Sequence, residues 1–217
     1  MKVKLISYSQ AGPDFFKAES LEEIIAYCAR VSNPANQENL DTAEGLIKYL
    51  IKHKHWSPFE MVNICLEIET TRDIARQILR HRSFSFQEFS QRYADPTSAL
   101  SFECRDARLQ DETNRQNSID CQDLKLDAEW KYKQQVLIDT VDSVYRWARS
   151  HNIAKEQARA ILPEGCTVSR MYMNGTLRSW IHYIELRAAE GTQLEHREVA
   201  LECKRVIGEV FPLIHKL

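Results

Sequence analysis

Apolar residues recur along this chain in two rhythms. Residues 2–8 read as an opening strand, and 62–70 and 167–173 alternate with period two, the mark of strands with one polar face. Elsewhere the spacing is helical. Ile24, Ile25 and Tyr27 mark a helix that runs to about Val31. Leu46, Ile47, Leu50 and Ile51 share one face of a second helix, about 39–52, and Ile74, Ala75, Ile78 and Leu79 do the same over 71–79. Leu124, Trp130, Val136, Leu137, Val141, Val144 and Tyr145 describe one long helix over about 119–150, with room for a break. A further helix starts at His151 or Asn152 and reaches Pro163. Residues 176–187 carry Trp180, Ile181, Tyr183, Ile184 and Leu186 almost all round, the pattern of a buried helix. A last amphipathic helix, about 193–211, should stop before Pro212.

Punctuation fits these elements. Ser20 with Glu23, and Thr70 with Asp73, have capping-box spacing. Gly12-Pro13-Asp14, Asn33-Pro34 and Asp95-Pro96-Thr97 break the pattern. Residues 103–125 are polar with little periodicity and read as a surface excursion without chemistry. A few strands among many helices make an α+β fold, expected as one domain over 1–217 with no repeats or linkers. A helix as long as 119–150 usually packs beyond its own domain, which points to an oligomer.

Composition narrows the classes. With 217 residues and a net charge of −2, no global field draws the chain to nucleic acid or membrane. No run approaches the roughly eighteen apolar residues of a membrane span, and Met1-Lys2-Val3-Lys4 lacks a signal-peptide core, so the cytoplasm is the expected location. The six cysteines are scattered, with no CxxC, which favours ordinary thiols in a reducing compartment. His53, His55 and Glu60 have no third ligand at a useful spacing, so polar roles outweigh a metal site and no metal is expected.

The densest chemistry lies in 80–93. Arg80, His81, Arg82 and Arg92 are interleaved with Phe84, Phe86 and Phe89, and with Ser83, Ser85, Gln87, Glu88, Ser90 and Gln91. The 71–79 helix delivers three donors into this stretch, read as a polar loop. Planar arginine forks suit phosphate and carbonyl oxygens. Arginines at a helix end are often merely solvated, but three phenylalanines have no reason to interleave a solvated basic loop. The residues alone support a loop built for a phosphorylated, planar ligand. A nucleic-acid module using the same Arg/Phe mixture is the rival class, and the acidic balance counts against it.

Arg80-His81-Arg82, seven residues and then Ser90 reproduce the RHR-x7-S signature of the flavin-dependent thymidylate synthases, or thymidylate-synthase-complementing proteins, and Arg92 falls where that family has its next arginine. His55-x-Ser57-Pro58-Phe59-Glu60 resembles the family's second motif, and Ala29-Arg30-Val31-Ser32 a short flavin-contacting one. Arg159 before Ile161-Leu162-Pro163, and Leu186-Arg187-Ala188, resemble its nucleotide and pyrimidine arginines. The resemblance runs from Ser32 to His196. It implies dUMP contacts at Gln77, Arg80, Glu88, Phe89, Ser90, Gln91, Arg92, Arg159 and Arg187. It implies FAD contacts at Ser32, Ser57, Glu60, Arg80, His81, Arg82, Gln87, Glu88, Thr176, Arg178 and His182. Gln87 stands where relatives often have Asn, and Thr176 likewise, with Asn174 two residues earlier as the competing flavin contact.

The implied reaction makes dTMP from dUMP, with methylenetetrahydrofolate as carbon donor and FAD, reduced by NADPH, as hydride donor. The implied assembly is a homotetramer with shared sites around a central, mostly antiparallel sheet flanked by long helices. Arg187, Ser90 and His55 are the implied catalytic positions. A second arginine beside the pyrimidine would stabilise charge developing on the ring oxygens. Ser90 has no base-and-orienter set near it in sequence and is expected to bind rather than attack. No cysteine sits in a Pro-Cys nucleophile motif, so no covalent cysteine adduct is expected.

Overall fold

The computed structural model describes residues 1–15 and 17–216. Its centre is a four-stranded antiparallel sheet of β1 (Lys2–Tyr8), β2 (Asn63–Thr71), β3 (Ser85–Glu88) and β6 (Val168–Thr176), in the order β1-β2-β6-β3. Alternation along β2 and β6 sends Ile64, Leu66, Ile68, Met171 and Met173 to one face, where all five are buried. Packed into the same apolar cluster are α1 (Leu21–Ala29), α2 (Ala43–Lys52), α3 (Arg72–Ile78), α7 (Leu177–Arg187) and α8 (Leu194–Ile207). The opposite face is polar and paired across strands: Arg170 donates to Glu69 at 2.9 Å, the Tyr172 hydroxyl to Glu67 at 2.9 Å, and Lys4 lies 3.2 Å from Glu67.

Three further elements lie off the sheet. The α5 helix (Leu124–Ser150) is unbroken over 27 residues and starts on an Asp123 cap. Val141, Tyr145 and Ala148 of α5 form a second, smaller core with Ala158 of α6 (Lys155–Ala158) and Leu162. The short α4 (Pro96–Ala99) is capped by Asp95. Among the described residues no helix is long and apolar enough to cross a membrane.

Several expectations need correction. The 80–93 stretch is not all loop, because 85–88 pairs with β6 as an edge strand, extended by Phe89 N donating to Arg170 O. The 103–125 excursion contains a hairpin of β4 (Arg108–Gln110) and β5 (Ser118–Asp120). The Ser20/Glu23 capping box forms, but Thr70/Asp73 does not, since Thr71 is the residue before α3 and its hydroxyl donates to Asp73 instead. The helix after Asn152 shrinks to α6 and a 3-10 turn at Arg159–Ile161. The α7 helix is buried on one side only: Trp180 is 0 % exposed and Leu186 57 %.

One glycine fixes how β3 approaches β6. A Cβ on Gly175 would sit 2.4 Å from Cδ1 of Phe84, whose ring is held edge-on between Trp180 at 4.8 Å and Tyr183 at 5.9 Å. The ring cannot swing away without repacking α7. Gly175→Ala should therefore destabilise the fold by about 1–3 kcal/mol, the usual cost of overpacking, read as a lower urea midpoint. An unchanged midpoint would show that Phe84 has room to move.

Candidate active site

Two helix ends meet at the centre of the candidate site. His81 follows the C-terminus of α3, where its N–H still bonds to Ile78 O, and Arg187 is the last residue of α7. Arg187 Nε donates to His81 Nε2 at 2.9 Å. An accepting Nε2 carries no proton, so His81 is the neutral Nδ1–H tautomer. Burial pushes its pKa down, and Arg187 and Arg80 push it further the same way. The ring is braced edge-on by Tyr183 at 4.9 Å. With Nε engaged, the two Nη groups of Arg187 remain free among the described residues, a planar fork aimed by its own anchor.

Behind this pair lies a layer that the motifs do not name. His196 is fully buried, with Nδ1 3.2 Å from Gln77 Oε1 and Nε2 3.1 Å from the Tyr183 hydroxyl. Gln77 Nε2 donates to Gln193 Oε1 at 2.7 Å, and Gln193 Nε2 to Glu195 at 2.9 Å. Burial would raise the Glu195 carboxyl, but its backbone N–H, Gln193, Arg105 and Arg108 outweigh that and hold it below its ordinary range. A signal for His196 was present in the sequence: it stands in the apolar stripe of Val199, Ala200 and Cys203.

The remaining candidates fall into two groups on either side. On one side Thr176 caps α7 by accepting from Ser179 N, Arg178 donates to Glu60 at 2.6 Å, and His182 stands edge-on to Trp56 at 5.0 Å. Ser57 opens the 3-10 turn Ser57–Glu60, which packs on α1 and α7. Ser179 Oγ donates to Ser83 O, tying this flank to the turn that carries exposed Arg82, while Gln87 on β3 pairs with Tyr172 on the polar sheet face. Asn174 pairs with Cys65 and Ser85 on the polar sheet face, and Thr176, two residues later on the same strand, is the one that caps α7.

On the other side, Glu88 accepts from Ser169 at 2.8 Å and lies 3.4 Å from Arg72. Phe89 closes the β3 ladder, Gln91 is buried, and Ser90 Oγ accepts from Arg92 N at 3.4 Å. Arg92 lies 3.3 Å from Glu156 on α6, three residues before exposed Arg159. Arg80, next to His81 in the chain, is exposed. No described hydrogen bond or ring contact joins Ser32 or His55 to either group. Nor, among the described residues, does a base hydrogen-bond to Ser90.

The sequence profile described as "Thymidylate synthase complementing protein" matches residues 16–213 of this chain. The chain belongs to this family. It is 49% identical over 216 residues to a probable flavin-dependent thymidylate synthase of Paramecium bursaria Chlorella virus 1, covering 100% of this chain and 98% of that one. It is 50% identical over 195 residues to a flavin-dependent thymidylate synthase of Synechocystis sp., covering 90% and 88%. Its fold matches that of the UMP/dUMP methylase PolB from Streptomyces cacaoi bound with 5-Br dUMP, with a TM-score of 0.79 at 24% identity, over 99% and 93% of the two chains.

The buried imidazoles make a pH prediction. Burial first, then Arg187 and His81, lower the His196 pKa to about 4, against an unfolded value of about 6.5. At pH above 6.5 the ring is neutral folded or unfolded. Below that the unfolded chain binds the proton first, so stability is lost as pH falls from about 6.5 through about 4, at up to about 1.4 kcal/mol per pH unit. His81 acts in the same direction. The stability gap between wild type and His196→Leu should shrink on acidification across this window in urea titrations. A gap independent of pH would contradict a buried neutral ring.

Proposed function

We propose that this chain, acting over 1–217 as one domain, is a flavin-dependent thymidylate synthase that methylates dUMP to dTMP. The contact that carries the reading is Arg187 on His81, which brings the RHR signature against the family's pyrimidine arginine. The donor set fits FAD. Arg80, Arg82 and Arg178 supply cations for a diphosphate, Ser57 and Glu60 offer a donor and acceptors on the Arg178 flank, and Gln87 adds both from the edge strand β3. When bound, FAD reduced by NADPH supplies the hydride and methylenetetrahydrofolate the carbon unit.

The protein's own part is binding and charge. Arg92, paired with Glu156 on α6, and Arg159, directly after α6, suit the nucleotide phosphate, and Arg80 suits a place between phosphate and flavin. The free fork of Arg187 suits the pyrimidine oxygens and gains strength as negative charge develops there. A neutral His81 holds that fork without competing for the charge, which an imidazolium would do. Ser90, with only a backbone N–H on its hydroxyl, is a hydrogen-bonding residue. The family resemblance assigns His55 and Ser32 to the flavin and folate side.

One chain leaves this site open. Arg80, Arg82, Gln87 and Arg159 are exposed, yet three stacked ligands need water excluded. Exposed Trp130, Leu137 and Val144 recur at seven-residue intervals on α5, with Trp147 beside them, the spacing of a helix–helix seam. A homotetramer whose sites are shared between subunits covers that seam and supplies the missing walls.

The reading predicts a yellow protein whose dithionite- or NADPH-reduced flavin is reoxidised, without oxygen, only when dUMP and methylenetetrahydrofolate are both present. A colourless protein with no flavin affinity would overturn it. Sharing is tested by refolding Arg92→Ala together with Arg187→Ala, each inactive alone. Mixed oligomers should regain part of the wild-type rate, whereas no recovery despite proven mixing would place both arginines in one chain's site.

A further inference from the structure

The hydrogen bonds behind Gln77 can run in only one direction. Glu195 is ionised and paired with Arg108, so it can only accept. Gln193 must then turn its NH2 to Glu195 and its oxygen to Gln77. Gln77 must in turn offer its NH2 to Gln193, which leaves its oxygen facing His196. His196 must donate from Nδ1, and its Nε2 is left to accept from the Tyr183 hydroxyl. An ion pair at one end thus sets the orientation of an amide two groups away and the tautomer of a ring three groups away. Each amide has two donors and two acceptor sites, so Gln77 keeps one N–H and one lone pair for another partner.

We propose that His196, with Gln193 and Glu195, is a positioning set that holds the Gln77 amide in one of its two flip states for the nucleotide. The inference rests on the reading of Gln77 as a dUMP-binding residue, and adds to it why that amide is fixed. An amide free to flip presents donor and acceptor interchangeably and spends half its time wrong for a given ligand edge. Anchored on both atoms, it meets the ligand already oriented. The same ring touches Tyr183, which braces His81. One buried side chain therefore adjoins both the amide and the imidazole that carries Arg187.

The test titrates dUMP into the FAD-loaded enzyme by calorimetry, with kcat and KM for dUMP measured alongside. Gln77→Ala should weaken dUMP roughly tenfold, the upper range for one neutral hydrogen bond. His196→Leu, which fills the cavity without donating, should weaken it by a similar factor, in KM rather than kcat. His196→Asn places an amide N–H near the lost Nδ1–H and should restore most of the affinity. In the Gln77→Ala background His196→Leu should add nothing, as expected for residues that act through one another.

Unchanged dUMP affinity in Gln77→Ala would remove Gln77 from the nucleotide site, and the positioning role with it. Weakened binding in Gln77→Ala but normal binding in His196→Leu would leave the nucleotide reading intact and overturn the positioning role alone. Should the His196 variants fail to fold, Gln193→Met replaces the other anchor at a half-buried position outside the core. It should weaken dUMP likewise, and normal affinity there would overturn the proposal.

Discussion

The site depends on one hydrogen bond between two helix ends. His81 can accept from Arg187 only while it is neutral, and it stays neutral because burial and two arginines make a third charge there costly. That places a constraint on everything around it. Tyr183 must pack edge-on against the ring, Phe84 must pack against Tyr183, and β6 must have a glycine at 175 where Phe84 presses on it. A catalytic-looking contact at the surface is thus held by the apolar core beneath it.

The α3 helix links the Glu88 group of candidate residues to the buried layer behind His81 although it has only seven residues. Its first residue, Arg72, lies beside Glu88 at the foot of β3, and Gln77 near its end joins the His196 chain. Asp73 is tied to Arg105, which also lies 3.7 Å from Glu195. Burial would raise the Asp73 carboxyl, but Arg105 and Thr71 outweigh it and hold its pKa below the ordinary value. So the 103–108 segment, unremarkable in sequence, clamps the start of α3 to the start of α8. Removing that clamp would loosen both ends of the nucleotide side at once.

Elements with strong periodicity were legible from the sequence: β1, β2, β6 and the helices α1, α2, α3, α7 and α8 lie about where alternation or helical spacing puts them, and so does α5 from Leu124 on, although residues 119–120 at its expected start belong to β5. The edge strand β3 was not, because four residues of mixed polarity carry no rhythm and pair only because β6 offers an open edge. The hairpin at 108–120 was hidden for the same reason. At the site, the RHR signature and the later arginines were readable as a motif, and the structure brings His81 to Arg187. The supporting layer of Tyr183, Gln193, Glu195 and His196 was not readable, since its link to the site, from His196 to Gln77, spans 119 residues of chain. Only the polar His196 within an apolar stripe marked the place.

The neutral state of His81 can be measured directly. In protein labelled with 15N-histidine, His81 at pH 7 should show one pyrrole-type and one pyridine-type nitrogen, with the proton on Nδ1. Arg187→Met should free the ring and raise its pKa, because a neighbouring cation is lost. An imidazolium at pH 7, or a proton on Nε2, would contradict the account, since neither form can accept from Arg187.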